Sequence, residues 1–462
     1  MYRLTLKKLL YAYLFVSIIL VGSITVLLNR NIVNRDVGVL ITFAVNGIII
    51  FFELSKSSRL GYSLKDVLFL FMFIFMFISP LVQYFENLFP WGSTYLITDE
   101  RVIYTNLLIT MFILIYIITY KISFNKRADN NQLKNREVVN IKLVMNIFFI
   151  ASILCSVYII VNTGFSNLFA RSTNSLKLES SSFKLIVSNT FRAVPVIYVA
   201  MNLLFIIKNK YVYRKFRFIL VSVLMIVVNF PTGIARFKMA TVYLGLFLIL
   251  KRKFNNPYFF KILIIISMLI LFPTVNVFRY NTFEEVIRRG IDIPKPSELF
   301  LSGHFDSYSM LVRTIIYVNF HGITWGNQLL GSLLFFIPRK FWPQKPIGSG
   351  HTIATDLGWD FTNVSCPYIG EGYINFGILG VILFAIILAV LTKFGDVAYK
   401  KSVYSNSKEI TIIELVYPFS IGFLFFILRG DLLSSLAYYI GFMVPVILLW
   451  LVQLLVVSRK NL

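Results

Sequence analysis

Two cysteines, three histidines and 21 acidic residues are all that 462 positions hold of the side chains from which disulfide frameworks, metal centres and carboxylate clusters are made. Cys155 falls in an apolar run and Cys366 in a polar stretch far along the chain, at different expected depths, so no disulfide framework is implied. A Cys/His cluster and an Asp-x-Asp pair are both missing, which leaves no metal site and no cofactor signature to read. Charge of any sign is scarce: 14% of residues are charged and 57% are hydrophobic, too little polar surface for a soluble domain. Internal repeats, strand alternation, heptads and low-complexity tracts are also absent.

The shortage of acid leaves a net charge of +24. These cations do not gather into a groove for nucleic acid. They stand in short clusters between apolar runs, which is membrane topology information. Runs of about 17–25 apolar residues cross a hydrocarbon core of roughly 30 Å as helices, the open-chain structure that satisfies its own backbone in lipid. Twelve such spans are expected, at 8–28, 37–54, 66–85, 102–120, 141–162, 185–207, 216–233, 235–250, 260–278, 369–391, 411–428 and 434–456. The first follows Arg3, Lys7 and Lys8 and lacks a small-residue cleavage site, so it reads as a retained span. With both termini cytoplasmic, 27 Lys and Arg fall inside and 17 outside, eight of the latter in one stretch of 90 residues, 279–368. The expected organisation is nine helices in 1–278, a large extracytoplasmic loop in 279–368 and three helices in 369–462.

A loop of that length holds structure of its own. Tyr308–Phe320 and Gln328–Pro338 are apolar but too short to span, and read as interfacial helices on the outer leaflet.

Four places carry unusual chemistry for a lipid environment. Arg192 lies eight residues into its span, and Arg236 with Lys238 sits at the outer edge of the eighth. Arg236 faces a polar cavity or snorkels to the headgroups. In 337–346 three prolines stiffen a segment holding Arg339, Lys340 and Lys345 beside Phe341 and Trp342, which suits a sugar phosphate and equally an interfacial anchor. Gly370-Glu-Gly-Tyr-Ile-Asn-Phe-Gly-Ile-Leu-Gly380 opens the tenth span, with Glu371 either a helix-dipole cap or a functional carboxylate and the glycines marking close backbone approach. Arg429-Gly-Asp431 ends the eleventh.

At Thr232-Gly-Ile-Ala-Arg236, Pro338-Arg339 with Phe341-Trp-Pro-Gln-Lys-Pro346, Glu371-Gly-Tyr-Ile-Asn-Phe-Gly377 and Arg429-Gly-Asp431, the chain resembles the O-antigen polymerase (Wzy) family within the polymerase and ligase group. The resemblance covers most of the architecture and these patches of sequence. It implies an all-α, GT-C-like glycosyltransferase of the bacterial inner membrane that joins undecaprenyl-diphosphate-linked oligosaccharide units without a metal. The products it implies are O-antigen, capsule or another exopolysaccharide. The implied partners are the lipid-linked donor and acceptor, membrane lipid, and a chain-length regulator and flippase acting alongside. An O-antigen ligase and a lipid-oligosaccharide flippase are the alternatives, the flippase disfavoured by the missing repeat.

Such a reaction needs a base for the acceptor hydroxyl and fixed positive charge for the departing diphosphate. Arg236, Arg279, Arg313, Arg339 and Arg429 are the diphosphate candidates. Glu371 is the first candidate for the base, then His304 and Asp306. Arg192, Trp342, Lys345, Tyr373 and Asn375 are candidate contacts to sugar or lipid carrier.

Overall fold

The computed structural model describes residues 35–56, 58–123, 141–169, 182–271, 274, 288, 296–405 and 407–458. Among these there is no strand, and eight helices are long and apolar enough to cross a membrane. In chain order the helices are α1 (Val37–Ser55), α2 (Leu64–Glu86), α3 (Asp99–Ile122), α4 (Ile141–Thr163), α5 (Ser182–Asn209), α6 (Lys215–Val228), α7 (236–250) and α8 (Phe259–Leu271). They continue with α9 (Pro296–Leu301), α10 (Ser307–His321), α11 (Asn327–Leu333), α12 (Ser349–Asp356), α13 (Tyr368–Val403), α14 (Ile412–Arg429) and α15 (Leu432–Ser458). Helices therefore occupy eleven of the twelve expected positions. α6 and α7 are shorter than a full crossing, α8 is described as far as Leu271, and the expected span 8–28 lies outside the described residues.

Local signals start and stop these helices. Asp36 caps α1 by accepting from Val39 N at 2.9 Å, and Ser63 caps α2 by accepting from Asp66 N at 3.0 Å. Thr411 and Glu414 form a reciprocal capping box at α14. Two large apolar cores result, one built mainly from α1, α2, α3, α10 and α13, the other from α4, α5, α6, α7, α14 and α15, beside a small cluster of Ile159, Leu168 and Val228. α14 feeds both, so it is the seam. α2 is the central post, with 94% of its span window buried against 33% for α1 and for α4, whose outward Ile, Val and Leu are left for lipid.

α10 covers the segment Tyr308–Phe320 expected as an interfacial helix, and it stands elsewhere. Its residues Ser307 through Ile316 are all buried, so it does not lie on the leaflet but is enclosed by α2, α3, α12 and α13. Two of its polar side chains find partners inside: Tyr308 Oη donates to Asn106 Oδ1 at 3.0 Å, and Thr314 Oγ1 donates to Met310 O at 2.7 Å. α11 has Leu330 and Leu333 exposed and Gln328 and Ser332 turned inward.

α13 doubles back at Phe376 and Gly377, the latter at φ 61° and ψ −140°, a conformation suited to glycine. The two limbs meet at Gly372 and Gly380, where a Cβ on Gly380 would stand 1.8 Å from Gly372 O. Backbone cannot yield as a flexible side chain can. Gly380→Leu should therefore remove the protein from the membrane fraction, an overpacking penalty of about 3 kcal/mol or more, read as abundance and detergent melting temperature. Wild-type abundance and melting would contradict the close approach.

Candidate functional site

The described residues brought together around one turn are Arg236, His304, Asp306 and Arg429. Arg236 opens α7, and the preceding turn is set by packing: Thr232 Oγ1 donates to Phe169 O, and a Cβ on Gly233 would stand 1.8 Å from Leu168 O. From there Arg236 Nη2 donates to His304 Nδ1 at 3.0 Å. A guanidinium can only donate, so Nδ1 is the acceptor and the ring proton sits on Nε2, making that edge of His304 a donor.

Arg429 ends α14 and grips the same turn with its fork. Nε donates to His304 O at 3.0 Å, and Nη2 reaches Gly303 O at 3.2 Å and Asp306 Oδ1 at 3.1 Å. Its side chain keeps 30% exposure, whereas Asp306 is 1% exposed. Asp306 also accepts from Trp91 Nε1 at 2.8 Å, Ser365 Oγ at 2.8 Å and Ser365 N at 3.3 Å. With those donors and Arg429 its lone pairs are committed, so Asp306 anchors the turn and is not the base in this geometry.

Glu371 sits one step away along Arg429-Gly-Asp431. It is fully buried in the first turn of α13, accepting from Ser349 Oγ at 2.8 Å and from Leu432 N at 2.9 Å. Asp431 lies beside it, accepts from Gly350 N at 3.1 Å, and has its carboxyl pushed up by burial. The first turns of α12 and α15 thus converge on two carboxylates, which fits the helix-dipole role and supplies a carboxylate pair.

The other candidates separate. Arg313 points its Nη2 at Gly92 O and lays its guanidinium over the Trp359 ring at 5.0 Å. Burial pushes it down to about 10, against the pull of Asp306, so it stays cationic at neutral pH. Arg339 donates to Lys345 O at 2.6 Å and Pro346 O at 3.4 Å, and Lys345 Nζ donates to Ile337 O at 3.1 Å. Both cations tie off their own proline segment, with Trp342 half-buried beside them; this favours the anchor reading over the phosphate one. Arg279 lies outside the described residues.

Asn375 and Tyr373, expected as contacts to sugar or carrier, make their bonds within the fold. Asn375 is wholly buried, accepting from Leu329 N at 2.9 Å and donating to Glu371 O at 2.8 Å, so it pins the α13 bend. Tyr373 is 6% exposed and pairs its hydroxyl with that of Tyr104 at 3.2 Å. Arg192 bonds Val228 O and lines a crevice with Asn189, Asn229, Lys238 and Thr241, apart from the His304 turn.

Trp91, Ser349, Ser365 and Asp431 were missed. Asp431 was legible inside Arg-Gly-Asp, singled out for its arginine; Trp91 lay in a short connector with no signal. Among the described residues no group of His, Cys, Asp and Glu is placed to hold a metal ion. The arrangement supplies fixed cations, a histidine N–H and a carboxylate pair, the parts that stabilise a departing anion and take a proton. Comparison with family models, with curated proteins and with solved structures returned no match for this chain.

Proposed function

We propose that this chain is a polymerase of undecaprenyl-diphosphate-linked oligosaccharide units, acting at the outer face of the bacterial inner membrane on a twelve-span, GT-C-like frame. The observation that carries the reading is the convergence of Arg236, His304 and Arg429 on one turn, held by Asp306. In this reading the donor diphosphate docks against Arg236, Arg429 and the His304 Nε2–H. Charge developing on the leaving oxygen as the acceptor hydroxyl attacks the anomeric carbon is met by donors already in place. Glu371 is the base, since Asp306 is committed to its donors while Glu371 accepts from Ser349 Oγ and Leu432 N. Ser349 is the hydroxyl through which the proton reaches it.

A deletion strain tests the function: lipid-linked material in single repeat units supports a polymerase, whereas normal-length polymer held on the carrier would point to a ligase. Topology is tested separately. In this reading the clusters around Lys126, Lys210, Lys253 and Lys400 are cytoplasmic and residues 279–368 are outside. A cysteine placed at 345 should label from outside with an impermeant reagent; labelling only after the inner face is opened would invert the topology.

A further inference from the structure

Arg313 is a buried charge that the proposed mechanism does not use. It is 1% exposed, and among the described residues its Nε and Nη1 donors have no partner, although a guanidinium out of water is held by bonds to all its N–H groups or carries a heavy penalty. Asp306 is no remedy, because Oδ1 serves Arg429 and Ser365 Oγ while Oδ2 serves Trp91 and Ser365 N. The spare donors therefore fit a group that is not part of the chain.

The surroundings say what kind. Trp359 lies against the guanidinium at 5.0 Å, and Trp91 stacks on Phe361 at 5.1 Å between ring centroids, with Phe361 46% exposed. Trp91, Gly92 and Ser93 have φ of 70°, 73° and 49°, three successive left-handed residues of which only glycine is at ease. This turn is held in place by Trp91 Nε1 on Asp306 and by Arg313 on Gly92 O.

We propose that Arg313, Trp359 and Phe361 form a subsite for an anionic sugar of the repeat unit, the guanidinium taking a carboxylate or phosphate substituent and the rings packing on the pyranose face. Guanidinium forks match both oxyanions, and aromatic faces pack on the C–H face of a sugar. The inference rests on the polymerase reading and deepens it, naming the substrate as an acidic oligosaccharide.

The test uses the full chain in nanodiscs, with binding read by saturation-transfer NMR. The probes are a hexuronate-containing trisaccharide, its neutral counterpart, a hexose phosphate and a short prenyl diphosphate. Wild type should bind the uronate or the sugar phosphate at least about tenfold more tightly than the neutral sugar, and which of the two binds identifies the substituent. Arg313→Gln should erase that preference without lowering the melting temperature, because it removes a buried charge with unmet donors. Phe361→Ala, at an exposed position, should weaken both sugars and leave folding intact. Equal binding of acidic and neutral sugars by wild type, or a preference that survives Arg313→Gln, would overturn the subsite. Prenyl diphosphate binding should be indifferent to Arg313→Gln; its absence in wild type would count against the polymerase reading and leave the sugar comparison standing.

Discussion

Replacing Arg236 by lysine is expected to cut polymer synthesis by at least about a hundredfold, the loss typical when one preorganised donor to a developing anion is removed, while the protein stays in the membrane at wild-type level. Lysine keeps the charge, but a single ammonium cannot both donate to His304 Nδ1 and present further N–H groups in the plane of a phosphate. Its loss also frees the His304 ring to change tautomer, so the Nε2–H donor is no longer fixed. Polymer ladders measured beside membrane abundance check this. Normal ladders from Arg236→Lys would mean that Arg236 merely reaches toward headgroups and that the reacting centre lies elsewhere.

Arg339 and Arg429 should separate sharply under substitution. Arg429→Ala removes the bonds to His304 O, Gly303 O and Asp306 Oδ1 and should lose more than about a hundredfold in activity, as an anion-stabilising group does. Folding should survive, because Asp306 keeps Trp91 and Ser365. Arg339→Ala should change activity by no more than about twofold, the range of an ordinary surface substitution, since Arg339 bonds only carbonyls of its own segment among the contacts described. Initial rates on lipid-linked units give the ranking. Equal severity at 339 and 429 would restore the proline segment to the site.

What the sequence could convey follows from the range of the forces involved. Spans such as 37–54, 66–85 and 102–120 rest on composition over one turn after another, and helices stand there. The glycines of 370–380 mark close backbone approach, which Gly372 and Gly380 make, but nothing in the sequence reading placed the bend at Gly377 that brings them together. α10 was misplaced on the leaflet because Arg313 and Asn319 among apolar residues look alike on an interface and in a core. What decides between them is Asn106, about two hundred positions earlier, waiting for Tyr308. The same holds at the candidate site. Arg236, His304, Asp306 and Arg429 could be placed on one side by alternation of charge, yet their meeting at one turn depends on packing such as Gly233 on Leu168 and Gly303 under Trp91. Glu371 could not be read as buried, because its donors Ser349 and Leu432 come from two other elements.

The most direct measurement is polymerisation by the purified chain in proteoliposomes, given a single lipid-linked repeat unit and excess chelator. A ladder of products rising by one repeat unit per step, with free lipid diphosphate released for each addition, is the expected result. Product confined to single units in chelator and restored by magnesium or manganese would place the reaction on carboxylates rather than on Arg236 and Arg429. Failure to extend under any condition, with finished polymer passed instead to a different acceptor, would contradict the polymerase itself.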